Sequence, residues 1–201
     1  EAFESVATKK GRALDWAQQH IICEKEYILY LDEDTEVTEF DGLPDADIVQ
    51  FLERPTHTDS YFSTLIEVGR LGWCQEMSGF PVLKYPPYLW GGGFAVRSSV
   101  EDAVGWEFDS ITEDTVFLWN AIDAGFSYEV TNQRFCNQAP PTVTELIKQR
   151  RRWFAGTIAD MSQLPLLSRV FVLTRVLSAA MTTFTPVVIL ADVFVALSLW
   201  V

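Results

Sequence analysis

YILYLDED, from Tyr27 to Asp34, is a short apolar and aromatic run that stops abruptly on three acids. A run of this length bounded by polar residues reads as a buried strand. Open α/β sheets bind ligands in the crevice outside the carboxyl ends of their strands. Asp32 and Asp34, one residue apart at that end, are hard oxygen donors suited to Mg²⁺ or Mn²⁺. D-x-D alone is a weak signal, and Asp45-Ala46-Asp47 repeats it. That second copy lies among turn residues and reads as a solvated loop.

Outward from this strand, helix and strand signals alternate. Lys10 to His20 carries Ala13, Leu14 and Ala17 at helical spacing. Ile48 to Glu53 reads as a second strand. Thr58 to Met77 reads as one helix with Phe62, Leu65, Ile66, Gly69 and Trp73 toward the core. Gly79 to Gly93, with Pro81, Pro86, Pro87 and three closing glycines, reads as a loop. Phe94 to Val96 resumes a strand. Thr112 starts a helix to about Ala124, and Gly125 caps it. Ser127 to Thr131 is a further strand, and Pro140-Pro141 precede a helix from about Thr142. The alternation implies an α/β domain with a partly parallel sheet.

Between Val176 and Val201 the only charged residue is Asp192. That stretch is long enough to span a bilayer, and Trp153 to Arg169 mixes aromatic, apolar and basic residues as an interfacial helix does. The expected organisation is a catalytic unit over 1–155, followed over 156–201 by an interfacial helix and the start of a transmembrane region.

The formal charge of −13 argues against a nucleic-acid surface, which needs a basic footprint. Lysine is confined to Lys9, Lys10, Lys25, Lys84 and Lys148, a composition that suits a salt-rich, halophilic setting. Cys23, Cys74 and Cys136 are scattered and read as reduced thiols. His20 and His57 have no second histidine at ligand spacing and read as structural.

Three further segments carry chemistry. Thr112-Glu113-Asp114 opens a helix; the bland reading is a Thr N-cap with acids complementing the helix dipole. The functional reading is one carboxylate, Asp114, taking a proton from an attacking hydroxyl. Gln149, Arg152 and Trp153, within QRRRW, fall at i, i+3 and i+4 and share a helical face. Arginine forks onto phosphate oxygens and tryptophan offers an apolar plate to a sugar ring. Arg150 and Arg151 point elsewhere on the helix and suit anionic lipid headgroups. Gly91, Gly92 and Gly93 let backbone approach a ligand closely, without the Gly-Lys-Ser/Thr of a phosphate loop.

A strand ending in D-x-D, a Gly-rich segment, T-E-D, then Q-R-R-R-W before an apolar helix resembles the family 2 glycosyltransferases of the cellulose, chitin and hyaluronan synthase type. The wording of LDEDT, ITEDT and KQRRRWFxG looks closest to the egghead-like β-1,4-mannosyltransferases. The resemblance implies a GT-A, Rossmann-like nucleotide-diphospho-sugar transferase fold on the cytoplasmic side of a cell membrane, with Mg²⁺ or Mn²⁺ as cofactor. It implies that Asp32 and Asp34 hold the metal and that Asp114 is the general base. By the same resemblance Asp32, Lys10, Arg12, Gln149, Arg152 and Trp153 bind the donor diphosphate, and Gly92, Gly93, Glu113 and Trp153 the acceptor. The implied partners are a UDP- or GDP-sugar and a glycan or lipid-linked acceptor. The family's first strand, with its early aspartate, is expected before Lys10.

Two other readings compete. One is a related membrane-associated module that binds nucleotide-sugar without transfer. The other is a phosphatase of the haloacid-dehalogenase type, which wants Thr where this chain has Glu36.

Overall fold

The computed structural model describes residues 3, 5–7, 9–56 and 60–181. His57 and the expected spanning stretch beyond 181 lie outside them. In chain order the elements are α1 (Lys9–His20), β1 (Tyr27–Tyr30), β2 (Thr35–Glu36), β3 (Ile48–Thr56), α2 (Tyr61–Gly69), α3 (Leu71–Met77), β4 (Phe94–Arg97), α4 (Ser98–Val104), α5 (Glu113–Asp123), β5 (Tyr128–Gln138) and α6 (Val143–Asp160). A last helix, α7, runs over 166–181 after the break at Pro165. Among the described residues no helix is long and apolar enough to cross a membrane.

The strands form one mixed sheet in the order β1-β4-β3-β5-β2. β3 and β5 are parallel, and the other three pairs are antiparallel. β1 is therefore an edge strand and not the buried strand expected. Leu29 is 40 % exposed, because β1 pairs on one side only.

Alternation along β3 splits the core. Ile48 faces Phe94, Val96, Trp106, Phe117 and Leu118, which lie beneath α4 and α5, with Leu14 of α1 packed alongside. Val49 and Phe51 face Ala95 and Phe135 on the other side, where Leu43 and Ala46 of the 37–47 loop cover them. Trp106 stacks on Phe117 with ring centroids 4.2 Å apart and an interplanar angle of 13°. Its indole N–H donates to Glu101 Oε1 at 2.7 Å, so no polar atom of this large side chain is stranded in the core.

β3 and β5 lose register between Gln50 and Leu52, where Val130 gives way to Arg134 as partner. Extra residues on one strand bend it and increase its twist. The curl is a geometric need, because only 31–34 separate β1 from β2 at opposite edges. In a flat sheet four strand spacings of about 4.8 Å would hold those edges roughly 19 Å apart, beyond the roughly 17 Å reached by five extended Cα steps. Asp32-Glu33-Asp34 thus forms a strap from one sheet edge to the other, closed by a Thr35 N–H bond to Asp32 O at 3.0 Å.

The single helix expected over 58–77 is instead two, divided at Arg70. Leu65 is exposed, while Ser63 and Glu67 are buried. Burial on α2 is set by polar partners: Ser63 Oγ donates to Pro140 O at 2.5 Å, and Glu67 pairs with two arginines. Elsewhere the helix-end signals hold. Thr142 caps α6 by accepting from Glu145 N at 3.2 Å, and Gly125, at φ +94°, closes α5. Asp47 accepts two bonds from Ser127 and pairs with Arg97, well away from Asp32.

Replacing Trp106 by Ala should lower the unfolding free energy by about 3–5 kcal/mol. Urea denaturation measures this, and an unchanged midpoint would contradict the packing described.

Candidate active site

The strap, the loop before β4, the start of α5 and one face of α6 meet at a single cleft of about 200 Å³. Lys10, Asp32, Asp34, Gly91, Gly92, Glu113, Asp114, Gln149, Arg152 and Trp153 all line it. Lys10 Nζ donates to Asp32 Oδ1 at 2.5 Å. A Cβ built on Gly91 would lie 2.9 Å from Lys10 Nζ, 3.1 Å from Asp114 Oδ2 and 3.4 Å from Asp32 Oδ1. Gly91 therefore marks the point where α1, the strap and α5 converge, and any side chain there would fill the space between them. A Cβ on Gly92 would collide with Glu53 Oε1 and Asn137 Nδ2.

Two residues expected at the site stand outside the lining. Arg12 is exposed and donates to Phe3 O at 2.6 Å, since two positions along α1 from Lys10 turns its side chain to another face. Gly93 is turned to the core, where an added Cβ would meet the Phe135 ring at 2.7 Å.

The start of α5 differs from an ordinary cap. The Thr112 side chain makes no cap bond; its hydroxyl donates to Asp160 Oδ2 at 2.6 Å, beside the Ser110 hydroxyl at 2.5 Å. Gly156 admits this contact, since a Cβ there would meet Thr112 Cγ2 at 2.9 Å. The far end of α6 is thereby clamped to the residue two before Asp114. No sequence signal marked Asp160.

Asp114 Oδ1 accepts from Thr115 N at 2.7 Å, while Oδ2 lies on the Gly91 side. Burial pushes its carboxyl up to about 7, Glu113 and Asp32 add to the rise, and Lys10 and the Thr115 N–H oppose it. Glu113 is raised by burial and by Asp32. Asp34 is raised by burial and by its acidic neighbours Asp32 and Glu33. Burial alone would lower Lys10, but Asp32, with Asp114 and Glu113, raises it.

Behind the cleft lies a buried ion-pair chain that sequence reading missed. Arg70 reaches Glu53 at 3.0 Å and Glu67 at 2.8 Å, and Glu67 also pairs with Arg150. Arg150, expected at lipid headgroups, is 95 % buried, and burial lowers it to about 10. Its guanidinium lies 4.5 Å from the Trp153 ring centroid. Arg151, by contrast, is exposed. The only signal available was Glu67 and Arg70 at i, i+3 on an apolar helix.

The family model described as Glycosyl transferase family group 2 matches residues 27–201. The chain belongs to this family. As a family 2 glycosyltransferase it is 24 % identical over 176 residues to the β-1,4-mannosyltransferase egh of Drosophila melanogaster, covering 74 % of this chain and 37 % of that protein. Its fold resembles that of the mannosyltransferase PcManGT from Pyrobaculum calidifontis, solved with GDP-Man and Mn²⁺. The TM-score is 0.54 at 15 % identity, over 95 % of this chain and 60 % of that one. The chain thus spans less than two thirds of either relative.

The raised Asp114 carboxyl fixes a sign. Its proton is held more tightly in the fold than in the unfolded chain, so stability falls as pH rises from about 4 through 7. In metal-free protein Asp114→Asn should melt higher than the parent at pH 8, with the gap closing toward pH 4. Equal melting temperatures at both pH values would refute the buried charge.

Proposed function

We propose that the protein is an inverting hexosyltransferase of GT-A architecture that moves a sugar from a nucleotide-diphosphate donor to an acceptor hydroxyl. The observation that carries this is the convergence of Lys10, Asp32 and Asp114 about Gly91, in the cleft that also holds Gln149, Arg152 and Trp153. GDP-mannose is the leading donor, supported by the mannosyltransferase titles of both relatives.

The chemistry of the donor set fits a divalent cation. Asp34 is an exposed carboxylate at the cleft whose charge is disfavoured by partial desolvation and by Asp32 and Glu33 beside it, so a cation would relieve it. Among the described residues no three His, Cys, Asp or Glu side chains form a closed metal cluster. Two carboxylates suit an open site completed by diphosphate oxygens and water. Asp32 and Asp34 would hold the ion, which when bound neutralises charge on the departing diphosphate.

The side chains divide the remaining work. Lys10 and Arg152 add positive charge where the leaving group gains negative charge, and Gln149 supplies an amide to the same face. Asp114 takes the acceptor hydroxyl proton at Oδ2. The freed oxygen attacks the anomeric carbon as the bond to the diphosphate breaks on the opposite face, inverting the centre. One carboxylate suffices, and a pKa near 7 suits it to the task.

Membrane association, on the cytoplasmic side, belongs to the same proposal. Val172, Val176 and Ala179 of α7 pack on the core, while Leu166, Val170, Leu173, Leu177 and Met181 form an exposed apolar stripe at helical spacing. A helix apolar on both faces suits a lipid boundary. The same proposal keeps 1–155 as the catalytic unit and 156–201 as the part leading into the membrane, with the last turn of α6 shared between them.

The test presents full-length protein in membranes with GDP-mannose, UDP-glucose and UDP-N-acetylglucosamine, each with and without Mn²⁺. Metal-dependent release of one nucleoside diphosphate is expected. Asp114→Asn should cut release at least about 100-fold while nucleotide binding stays within roughly twofold. Full turnover by that variant removes Asp114 from the base role. Phosphate release from p-nitrophenyl phosphate without nucleotide release would favour the phosphatase.

A further inference from the structure

Among the described residues, the inner end of the cleft is more specialised than a phosphate site requires. Three indoles line it, Trp73, Trp90 and Trp153. Each lies within cation–π range of a buried guanidinium. Arg70 is 5.2 Å from the Trp90 ring centroid and 5.9 Å from that of Trp153, while Arg150 is 5.7 Å from Trp73 and 4.5 Å from Trp153. Both guanidiniums are anchored in turn by Glu67, and Arg70 also by Glu53. Tyr88 stacks on Trp90 at 5.5 Å with rings 8° from parallel. The walls are therefore aromatic, preorganised and fixed from behind.

The floor is polar. Glu53, 3 % exposed, and Asn137, 7 % exposed, both line the cleft and meet beneath Gly92. Asn137 Oδ1 has no hydrogen-bond partner among the described residues. A buried amide oxygen left unpaired is costly, so a donor supplied by a ligand would stabilise it. Apolar plates above a few fixed hydrogen-bonding groups match a pyranose, whose C–H faces are apolar and whose edge carries hydroxyls.

We infer that Glu53 and Asn137 form the hydroxyl-reading floor of a subsite for the terminal pyranose of the acceptor, walled by Trp73, Trp90 and Trp153. The inference rests on the transferase reading above. Position favours acceptor over donor. Lys10 and Asp32 meet Asp114 Oδ2 at Gly91, whereas Glu53 and Asn137 meet one residue on at Gly92, so a ring held on this floor can present a hydroxyl to the base.

The test uses full-length protein in detergent and saturation-transfer NMR. The probes are methyl β-D-glucopyranoside, methyl β-D-mannopyranoside and methyl N-acetyl-β-D-glucosaminide. GDP and UDP titrations with Mn²⁺ run in parallel on the same samples. At least one glycoside should bind the parent protein. Asn137→Ala and Glu53→Gln should each weaken it about 10-fold or more, while nucleotide affinity stays within about twofold. Asn137→Ala leaves the Arg70 ion pairs intact and serves if Glu53→Gln does not fold. Unchanged glycoside binding in Asn137→Ala, loss of nucleotide affinity equal to the loss of glycoside affinity, or no glycoside binding to the parent protein each overturns the subsite. Absence of nucleotide binding in the parent protein instead defeats the transferase reading.

Discussion

Asp160 holds two hydroxyls, Ser110 at 2.5 Å and Thr112 at 2.6 Å, on one buried oxygen. A carboxylate taken out of water is tolerated only when its lone pairs are occupied, so these bonds are a condition of the fold at this point. Their effect reaches further than their energy. They tie the last turn of α6 to the first turn of α5, and with them the Gln149, Arg152 and Trp153 face to Asp114. The close helix approach at Gly156 is the steric counterpart of the same clamp. Without it the groups on α6 and the group on α5 would have no fixed separation, and a displacement needs that separation held closely.

Much of this was legible in the sequence. The acids after Tyr30, the T-E-D turn and the Gln-Arg-Trp face were each marked by a local pattern, and they share one cleft because all three lie at the same end of the sheet. Patterns tied to period and capping also held, as at Thr142 and Gly125. Illegible were the features that depend on a partner distant in sequence. Glu67 is buried because Arg150 and Arg70 neutralise it, so the buried face of α2 takes in Ser63 and Glu67 beside Ile66 and leaves Leu65 outside. Arg150 is inside for the same reason, although an arginine beside two others reads as surface.

Arg12 and Gly93 show the limit of carrying a motif over by proximity. Arg12 stands two residues from Lys10 on α1 and Gly93 follows Gly92, yet each faces away from the cleft. Asp32 and Asp34 are one residue apart and remain together only because the segment bearing them is a turn rather than a helix or strand.

The bridge over 31–34 links the two outermost strands of a five-stranded sheet through a turn closed by the Thr35 N–H on Asp32 O. An insertion there would slacken the span and let the acids drift from Gly91; a deletion would pull the edges inward and break the pairing of Thr35 with Asn137. The length of this bridge is therefore constrained together with its two aspartates, because both set where the acids stand in the cleft. Among homologues sharing the topology, gaps in an alignment should fall anywhere else first.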